Sequence, residues 1–290
     1  MATYHTQTVR PGFQGLAVIG SQNIRCSSFG VNPNQETLFY KHVIGLNDTI
    51  PTDTATKGEA VGIIQAQQVM WRPSPLSISG GFSYPACYTS ATSGNISDLF
   101  GYAKYGNIFN IDYSFYCNKK RTFTGCRVNT WTLSASAGDI VQITADVLAK
   151  SITESSSSTS YTTMEKFLTW DKIGITVAGF TNPKILAFDL TINNNAQNIY
   201  VSSSTTSGFV ANRPFDIRLG TQEVSGTITF YLKQPEIELT ASSAVSVITL
   251  TLPGQTITIQ AVLRNEQVEG KVGPIVTAIP FVGVDKALGN

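Results

Sequence analysis

Histidines and carboxylates are the first residues of this chain to consider for acid-base or nucleophilic chemistry. Only two histidines are present, His5 and His42, and both lie in an N-terminal segment without a clear apolar pattern. No G-x-S-x-G motif occurs, so a Ser-His-Asp or Cys-His site could be built only around these two residues. Asp139 and Asp146 point to opposite faces of a regular strand, which does not favour a paired-carboxylate site. We therefore predict that the chain is not an enzyme.

Cysteines are the remaining candidates for metal binding or covalent chemistry. Cys26, Cys87, Cys117 and Cys126 form neither a CxxC pair nor a metal-ligand spacing with the histidines. The polar start of the chain lacks the features of a secretory signal, and no segment approaches the ~18 apolar residues of a membrane span. We predict reduced, mostly buried cysteines, no metal or cofactor, no membrane insertion, and a protein kept in the cytoplasm of the cell that makes it.

Two segments could be considered for binding phosphate. Residues 270–273 place two glycines around Lys271, but the spacing of a phosphate loop is absent. The basic triplet at 119–121 is interpreted as the solvated tip of a turn that starts at Asn118, because adjacent charges on a turn fan apart. With 20 basic and 19 acidic residues, the chain lacks the excess of positive charge that is typical of a nucleic-acid-binding protein.

The composition favours a component of an assembly. Charged residues make up 13% of the chain, about half of the ~25% typical of soluble domains, while apolar content is an ordinary 42%. Ser, Thr and Asn replace the missing charges. Short polar side chains lose less conformational entropy when they are ordered, and Lys and Glu are depleted at interface cores. A merely neutral soluble domain is the alternative explanation.

The clearest structural element lies between residues 125 and 150, where two alternating segments flank a turn at 136–139. The apolar residues of both segments recur at every second position, which predicts a β-hairpin with one apolar face. These residues are Trp131, Leu133 and Ala135 in the first segment and Val141, Ile143, Ala145 and Val147 in the second. The opposite face carries Thr, Ser, Gln and Asp.

Similar alternation predicts further strands, and one segment predicts a helix. The strands fall at 76–84, 109–116, 186–192, 224–232, 245–252, 255–263 and 275–284. Residues 95–106 place apolar side chains at helical spacing, with Asn95 or Ser97 as N-cap and Gly106 at the C-terminal end. The sequence therefore predicts a mostly-β protein with one helix flanking a sheet.

The chain is predicted to divide near residue 70. Residues 1–70 are rich in Gly and Pro and are expected to form an N-terminal arm, with at most one strand at 16–19, and a long polar loop. Residues 71–290 form the main β domain, and the Ser/Thr-rich segment 151–163 is expected to be an exposed, mobile loop.

Three parts of this pattern resemble the major tail tube protein of long-tailed bacteriophages. The hairpin, which begins Gly-Cys-Arg-Val-Asn at 125–129 and turns at Ala137-Gly138, resembles the GCxVNxxxxxxxAG hairpin of that family. Residues 187–195 and 213–227 resemble its later strand pair, and 279–284 resembles its closing strand. The match runs with gaps from Gly125 to the C terminus, and residues 1–70 depart from it.

The resemblance implies a β-sandwich or half-barrel with one flanking α-helix and long loops. It further implies a virion structural protein whose subunits form rings, commonly hexameric, stacked into a hollow tube through which DNA passes without specific binding. Implied partners are the chain itself and the tail terminator, distal tail and tape-measure proteins. The expected location is the virion tail, assembled in the host cytoplasm. Pairing of sheet edges between neighbours would remove exposed edges, which agrees with this implication.

Under this resemblance, one polar strand face would line the channel. A DNA conduit needs a wet, non-adhesive wall, so we predict lumen-facing positions on the hairpin and on the strand at 224–232. The candidates are Gln142, Thr144, Asp146, Ser225, Thr227 and Thr229.

Two alternatives to this function stay open. The first is the inner tube of a contractile tail or injection machine, which would share the fold. The second is a monomeric β-sandwich binding module, which predicts an exposed aromatic cluster with converging polar groups. Trp71, Trp131 and Trp170 are scattered along the chain instead, and the alternation around Trp131 predicts a core position.

Overall fold

A computed structural model of the chain shows a mostly-β protein with one α-helix among the residues it describes. The described residues are 15–34, 37–43, 67–73, 76–90, 93–115, 119–156, 166–180, 183–201, 213–231, 245–264, 267–269 and 276–288. The N-terminal half contains β1 (Gly15–Ile19), β2 (Gln22–Cys26), β3 (Ser28–Phe29), β4 (Asn32–Asn34), β5 (Thr37–Val43), β6 (Gln67–Pro73), β7 (Ser77–Pro85), β8 (Cys87–Ser90), β9 (Ser93–Gly94), α1 (Ser97–Tyr105), β10 (Phe109–Phe115), β11 (Lys119–Ser136) and β12 (Gln142–Ala149). The C-terminal half contains β13 (Ser151–Ser155), β14 (Lys166–Phe167), a 3-10 helix (Trp170–Lys172), β15 (Gly174–Val177), β16 (Ile185–Asn193), β17 (Gln197–Ile199), β18 (Asp216–Arg218), β19 (Glu223–Tyr231), β20 (Val245–Leu252), β21 (Gln255–Leu263), β22 (Gln267–Glu269) and β23 (Val276–Leu288).

The predicted hairpin is confirmed as the pair β11 and β12. Trp131 lies opposite Ala145 and Leu133 opposite Ile143, and all four side chains are buried. Gly138 in the turn has a φ of 88°, a conformation that favours glycine over residues with a Cβ. β11 is 18 residues long, so it continues well beyond the predicted start of the hairpin.

Short strands near the N terminus close one half of the sheet into a barrel. β1 pairs with β2 and β10, and β10 pairs with the first half of β11. On the other side, β11 pairs with β12, β12 with β7, and β7 with β3 and β4, which follow β2 in the chain. This circuit encloses stacked aromatic rings, with the centroid of Phe29 3.7 Å from that of Tyr113 and 5.6 Å from that of Phe82.

The second half of β11 begins an open sheet that extends away from the barrel. Its strand order is β11, β16, β19, β23, β21, β20 and β15, all paired antiparallel. Each strand buries one face, and the largest side chains of this part of the core are Trp131, Phe188, Phe230 and Phe281. A long strand shared by a barrel and an open sheet confirms the predicted sandwich or half-barrel fold.

The predicted helix is confirmed, and it covers one end of the apolar sheet face. Leu99, Phe100 and Ala103 are buried, and the Phe100 ring lies 5.4 Å from that of Trp131. Gly106 ends the helix in the left-handed conformation, with a φ of 64°. The predicted N-cap is wrong.

Ile96, which has no side-chain cap, occupies the N-cap position of α1. Asn95 is buried instead, and its Oδ1 accepts a hydrogen bond from the Cys87 backbone N–H at 2.8 Å. This side chain therefore joins the helix to β8.

Three segments differ from their sequence-based interpretation. Residues 15–34, predicted to be an arm with at most one strand, form β1 to β4 and complete the barrel. Residues 119–121 begin β11 rather than form a turn. The first residues of the Ser/Thr-rich segment, Ser151–Ser155, form β13 and pair with β11, because their backbone groups extend the ladder that β12 begins. The domain boundary near residue 70 stays a prediction, and most of residues 35–70 and 157–163 lie outside the described residues.

Candidate functional site

The six predicted lumen positions lie on one face of the sheet. Gln142, Thr144 and Asp146 are exposed on β12, Ser225 is exposed on β19, and Thr227 and Thr229 are half-buried. None of them is in the core. The predicted positions on β12 and those on β19 are separated by two strands, β11 and β16. These two strands place polar residues of their own on the same face.

Strand register aligns these side chains in rows across five strands. One row runs Ser83, Thr144, Thr132, Thr191 and Ser225. A second runs Gln142, Ser134, Asp189 and Thr227, and a third runs Asp146, Thr130, Asn193 and Glu223. Directly opposite residues in antiparallel strands share a face. At ~4.8 Å between strands, the face is about 19 Å wide from β7 to β19. We call this surface the hydroxyl face.

The centre of the hydroxyl face was not among the predicted site residues. Thr132 and Thr191 lie between the two predicted groups, and their hydroxyl oxygens are 3.3 Å apart. Both show the same alternation as the predicted positions, so the face they belong to was readable from the sequence. The pairing of β11 with β16 was not readable, because it joins residues about sixty positions apart.

The charges of the hydroxyl face are all negative. Asp146, Asp189 and Glu223 lie in its rows, and the strand segments 79–85, 130–134, 142–146, 189–193 and 225–229 contain no Lys or Arg. Partial desolvation raises the pKa of Asp189 above its ordinary value. A face of hydroxyls and carboxylates hydrates well and repels phosphate groups.

Glycine at position 81 makes room for Asp146. Asp146 lies directly opposite Gly81 in the ladder between β12 and β7, and a Cβ at position 81 would collide with its Oδ1. The Asp146 carboxylate, at the start of the third row, therefore lies over the backbone of Gly81, where no side chain is present. A side chain at this place would displace the carboxylate from the face.

The hydroxyl face stops abruptly at β19. The next strand, β23, places Ala278, Pro280 and Val282 opposite Thr229, Thr227 and Ser225, so the same face becomes apolar. The predicted β19 positions are therefore the border of the polar surface, and β12, β11 and β16 form its interior.

The other candidate residues do not converge on a reactive site in the described part of the chain. Cys26, Cys87 and Cys126 are buried, and burial raises the pKa of Cys26 and of Cys126 to about 12. No cluster of His, Cys, Asp or Glu within the described ranges could hold a metal ion. Cys117, His5 and segment 270–273 lie outside the described residues, as does the side chain of His42.

Two members of the basic triplet, Lys120 and Arg121, form ion pairs in the barrel wall. The Lys120 Nζ lies 2.7 Å from Asp112 Oδ2, and the Arg121 Nε lies 2.7 Å from Glu154 Oε1. These pairs join β11 to β10 and to β13. They are ordinary partly exposed ion pairs, so the cluster offers no converging site for phosphate. Among the described helices, none is long and apolar enough to cross a membrane.

The described residues form a mostly-β fold with one flanking helix and a broad sheet face that carries few charges. These features are typical of a structural protein built from β-sheet. The chain belongs to the phage tail tube protein family, whose model matches residues 25–287. It is thus a structural component of a phage virion tail. The match begins at residue 25, so it includes most of the segment 1–70 that the initial resemblance did not cover. No curated protein matches the chain.

Proposed function

We propose that copies of this chain form hexameric rings that stack into a hollow tube and conduct phage DNA into the host cell. In this proposal the hydroxyl face lines the channel, and the tube carries DNA without binding it specifically. The tail terminator, distal tail and tape-measure proteins are the expected partners at the tube's ends and in its lumen. Assembly in the host cytoplasm belongs to the same proposal.

The observation that supports this function best is the hydroxyl face itself. The face is wide, most of its side chains are short and polar, and the charged residues in its rows are all acidic. A surface that gripped DNA would carry Lys and Arg in register with phosphates, and each such contact would have to break for the DNA to move. Short hydroxyls that hold water do not impose that cost.

Electron microscopy of the purified chain tests the proposal. We expect rings or tubes with a central channel, and side chains of Thr144, Thr132 and Thr191 on the channel wall in a reconstruction. A chain that stays monomeric at high concentration would contradict the tube. Tubes whose hydroxyl face points outward would contradict the channel assignment and leave assembly intact.

A further inference from the structure

An apolar strip continues the hydroxyl face at its far end. The row that contains Ser225 continues through Val282 on β23 and Val262 on β21 to Val245 on β20. Val245 is 52% exposed, and Val247, two positions along on the same face of β20, is 39% exposed. We call these residues, Val245, Val247, Val262 and Val282, the apolar strip.

The composition of β23 is typical of a strand buried on both faces. β23 buries Ile279 and Phe281 in the core and places Ala278, Pro280 and Val282 on the outer face. A strand that met water on its outer side would alternate with polar residues there. Residues 245–263 and 276–284 also contain no Lys, Arg, Asp or Glu, the residues that are depleted at interface cores.

A second exposed apolar cluster lies on the opposite flank of the molecule. It consists of Ile199, Tyr200, Val201 and Phe215 beside the two-stranded ribbon of β17 and β18, and Phe215 is 65% exposed. The Phe215 N–H donates to the Ile199 carbonyl at 2.8 Å, which holds the cluster together. We call these four residues the ribbon cluster.

The ribbon is anchored on the barrel side of the sheet. The Tyr200 hydroxyl donates to the Leu76 carbonyl at 3.1 Å, just before β7, and the Lys150 Nζ lies 2.7 Å from Asp216 Oδ1. From β7 to β20 the strand order has seven steps of ~4.8 Å, a path of about 34 Å along the sheet. One molecule therefore cannot bring its own ribbon cluster onto its own apolar strip.

We propose that the ribbon cluster of one copy docks on the apolar strip of the next copy. Two different surfaces on opposite flanks make a head-to-tail contact, which generates a closed ring when the rotation between copies closes. Membership in the tail tube family makes a second copy the expected occupant. This inference rests on the proposed function and specifies which surfaces form the ring.

Paired charge substitutions test the contact. Val247→Lys places a charge in the apolar strip, and Phe215→Glu places one in the ribbon cluster. Each variant alone should remain a folded monomer, with at least a hundredfold increase in the concentration needed for assembly, because central interface positions dominate affinity. Thr251→Lys is the matched control, since Thr251 is exposed on the same face of β20 but lies beyond the strip, opposite Thr256. It should assemble like the wild type.

Mixing the two variants identifies the contact as head-to-tail. The Phe215→Glu chain keeps an intact strip, and the Val247→Lys chain keeps an intact ribbon cluster, so an equimolar mixture should form dimers in analytical ultracentrifugation but no rings. Urea denaturation of each variant checks that it is folded.

The outcomes separate this inference from the proposed function. A wild-type chain that remains monomeric contradicts both. A wild type that forms rings while either variant also forms them contradicts the docking contact alone, as does a mixture without dimers when each variant is folded.

Discussion

Short side chains and missing side chains shape the surfaces of this protein. Glycine at position 81 leaves space for Asp146, and Gly226 lies where a Cβ would collide with the Asp189 carbonyl and the Phe281 ring. Threonine and serine supply most of the hydroxyl face, and their β-branched or compact shapes suit strands. Under the proposed function, this face works because it lacks the long charged side chains that would hold DNA.

Asp146 is the residue whose replacement tests the channel wall directly. Asp146→Lys combined with Thr144→Lys should leave tube assembly intact, since neither side chain is in the core, and should slow DNA ejection because lysines attract phosphates. The rate of DNA release from particles built with the variant measures this effect. Asp139→Lys, in the hairpin turn, is the control for added charge. Normal ejection by the double variant would contradict the lumen assignment.

Gly80 should tolerate no side chain. Its φ is 148°, and an added Cβ would collide with the Gly30 carbonyl where β7 passes the chain between β3 and β4. We expect Gly80→Ala to lower the free energy of unfolding by about 2 kcal/mol or more. Gly101→Ala is the control, because no atom lies within 4 Å of its added Cβ and alanine favours a helix. It should raise stability by up to about 1 kcal/mol, as urea denaturation would show; equal effects of both would contradict this argument.

Individual elements were predictable where one face met the core and the other met water. Alternation located β11, β12, β16, β19, β20 and β21 to within a few residues, except at the start of β11. It did not locate β2 to β4, which are short and interrupted by Gly and Pro, or β13, whose Ser and Thr carry no apolar signal. The apolar strip was missed because β23, although predicted as a strand, is apolar on both faces, so its sequence does not show which residues face outward.

The ion pair between β10 and β11 should give the barrel a measurable dependence on pH. Partial burial opposes ionisation of Asp112, but hydrogen bonds from Lys120 and Thr122 outweigh it and hold the pKa of its carboxyl below the ordinary value. The stabilisation is present above the unfolded-state pKa of about 3.9 and is lost as pH falls through the lower folded-state pKa.

Asp112→Asn therefore separates this contribution from the rest of acid unfolding. At pH 7 the variant should be less stable than the wild type by about 1 kcal/mol, and the difference should shrink as pH falls below about 4. Urea denaturation across pH measures both curves. A difference that stays constant with pH would show that Asp112 acts through packing rather than through its charge.

At the scale of the whole molecule, the N-terminal strands and the main sheet form one connected body among the described residues. Cys26 lies in β2, inside the region predicted to be an arm, yet it is buried in the same core as Cys126 and Trp131. The strand pairings that close the barrel join residues 15–34 to β7 and β10. No local sequence pattern indicates these pairings.

Thiol labelling tests whether this body unfolds as a unit. In increasing urea, labelling of Cys26 and Cys126, read by peptide mass spectrometry, should rise together with the fluorescence change of Trp131 in a chain whose Trp71 and Trp170 are replaced by Phe. Labelling of Cys26 at distinctly lower urea would support a separable arm that ends near residue 70.

β11 belongs to both the barrel and the open sheet, and this has a mechanical consequence. At about 3.3 Å per residue its 18 residues extend about 60 Å, and ladder bonds hold it on both sides in each half. Bending either half would break those bonds. The strand changes partners near Gly125, whose φ is 64°, so a force on the barrel reaches the hydroxyl face through one continuous strand with a single junction.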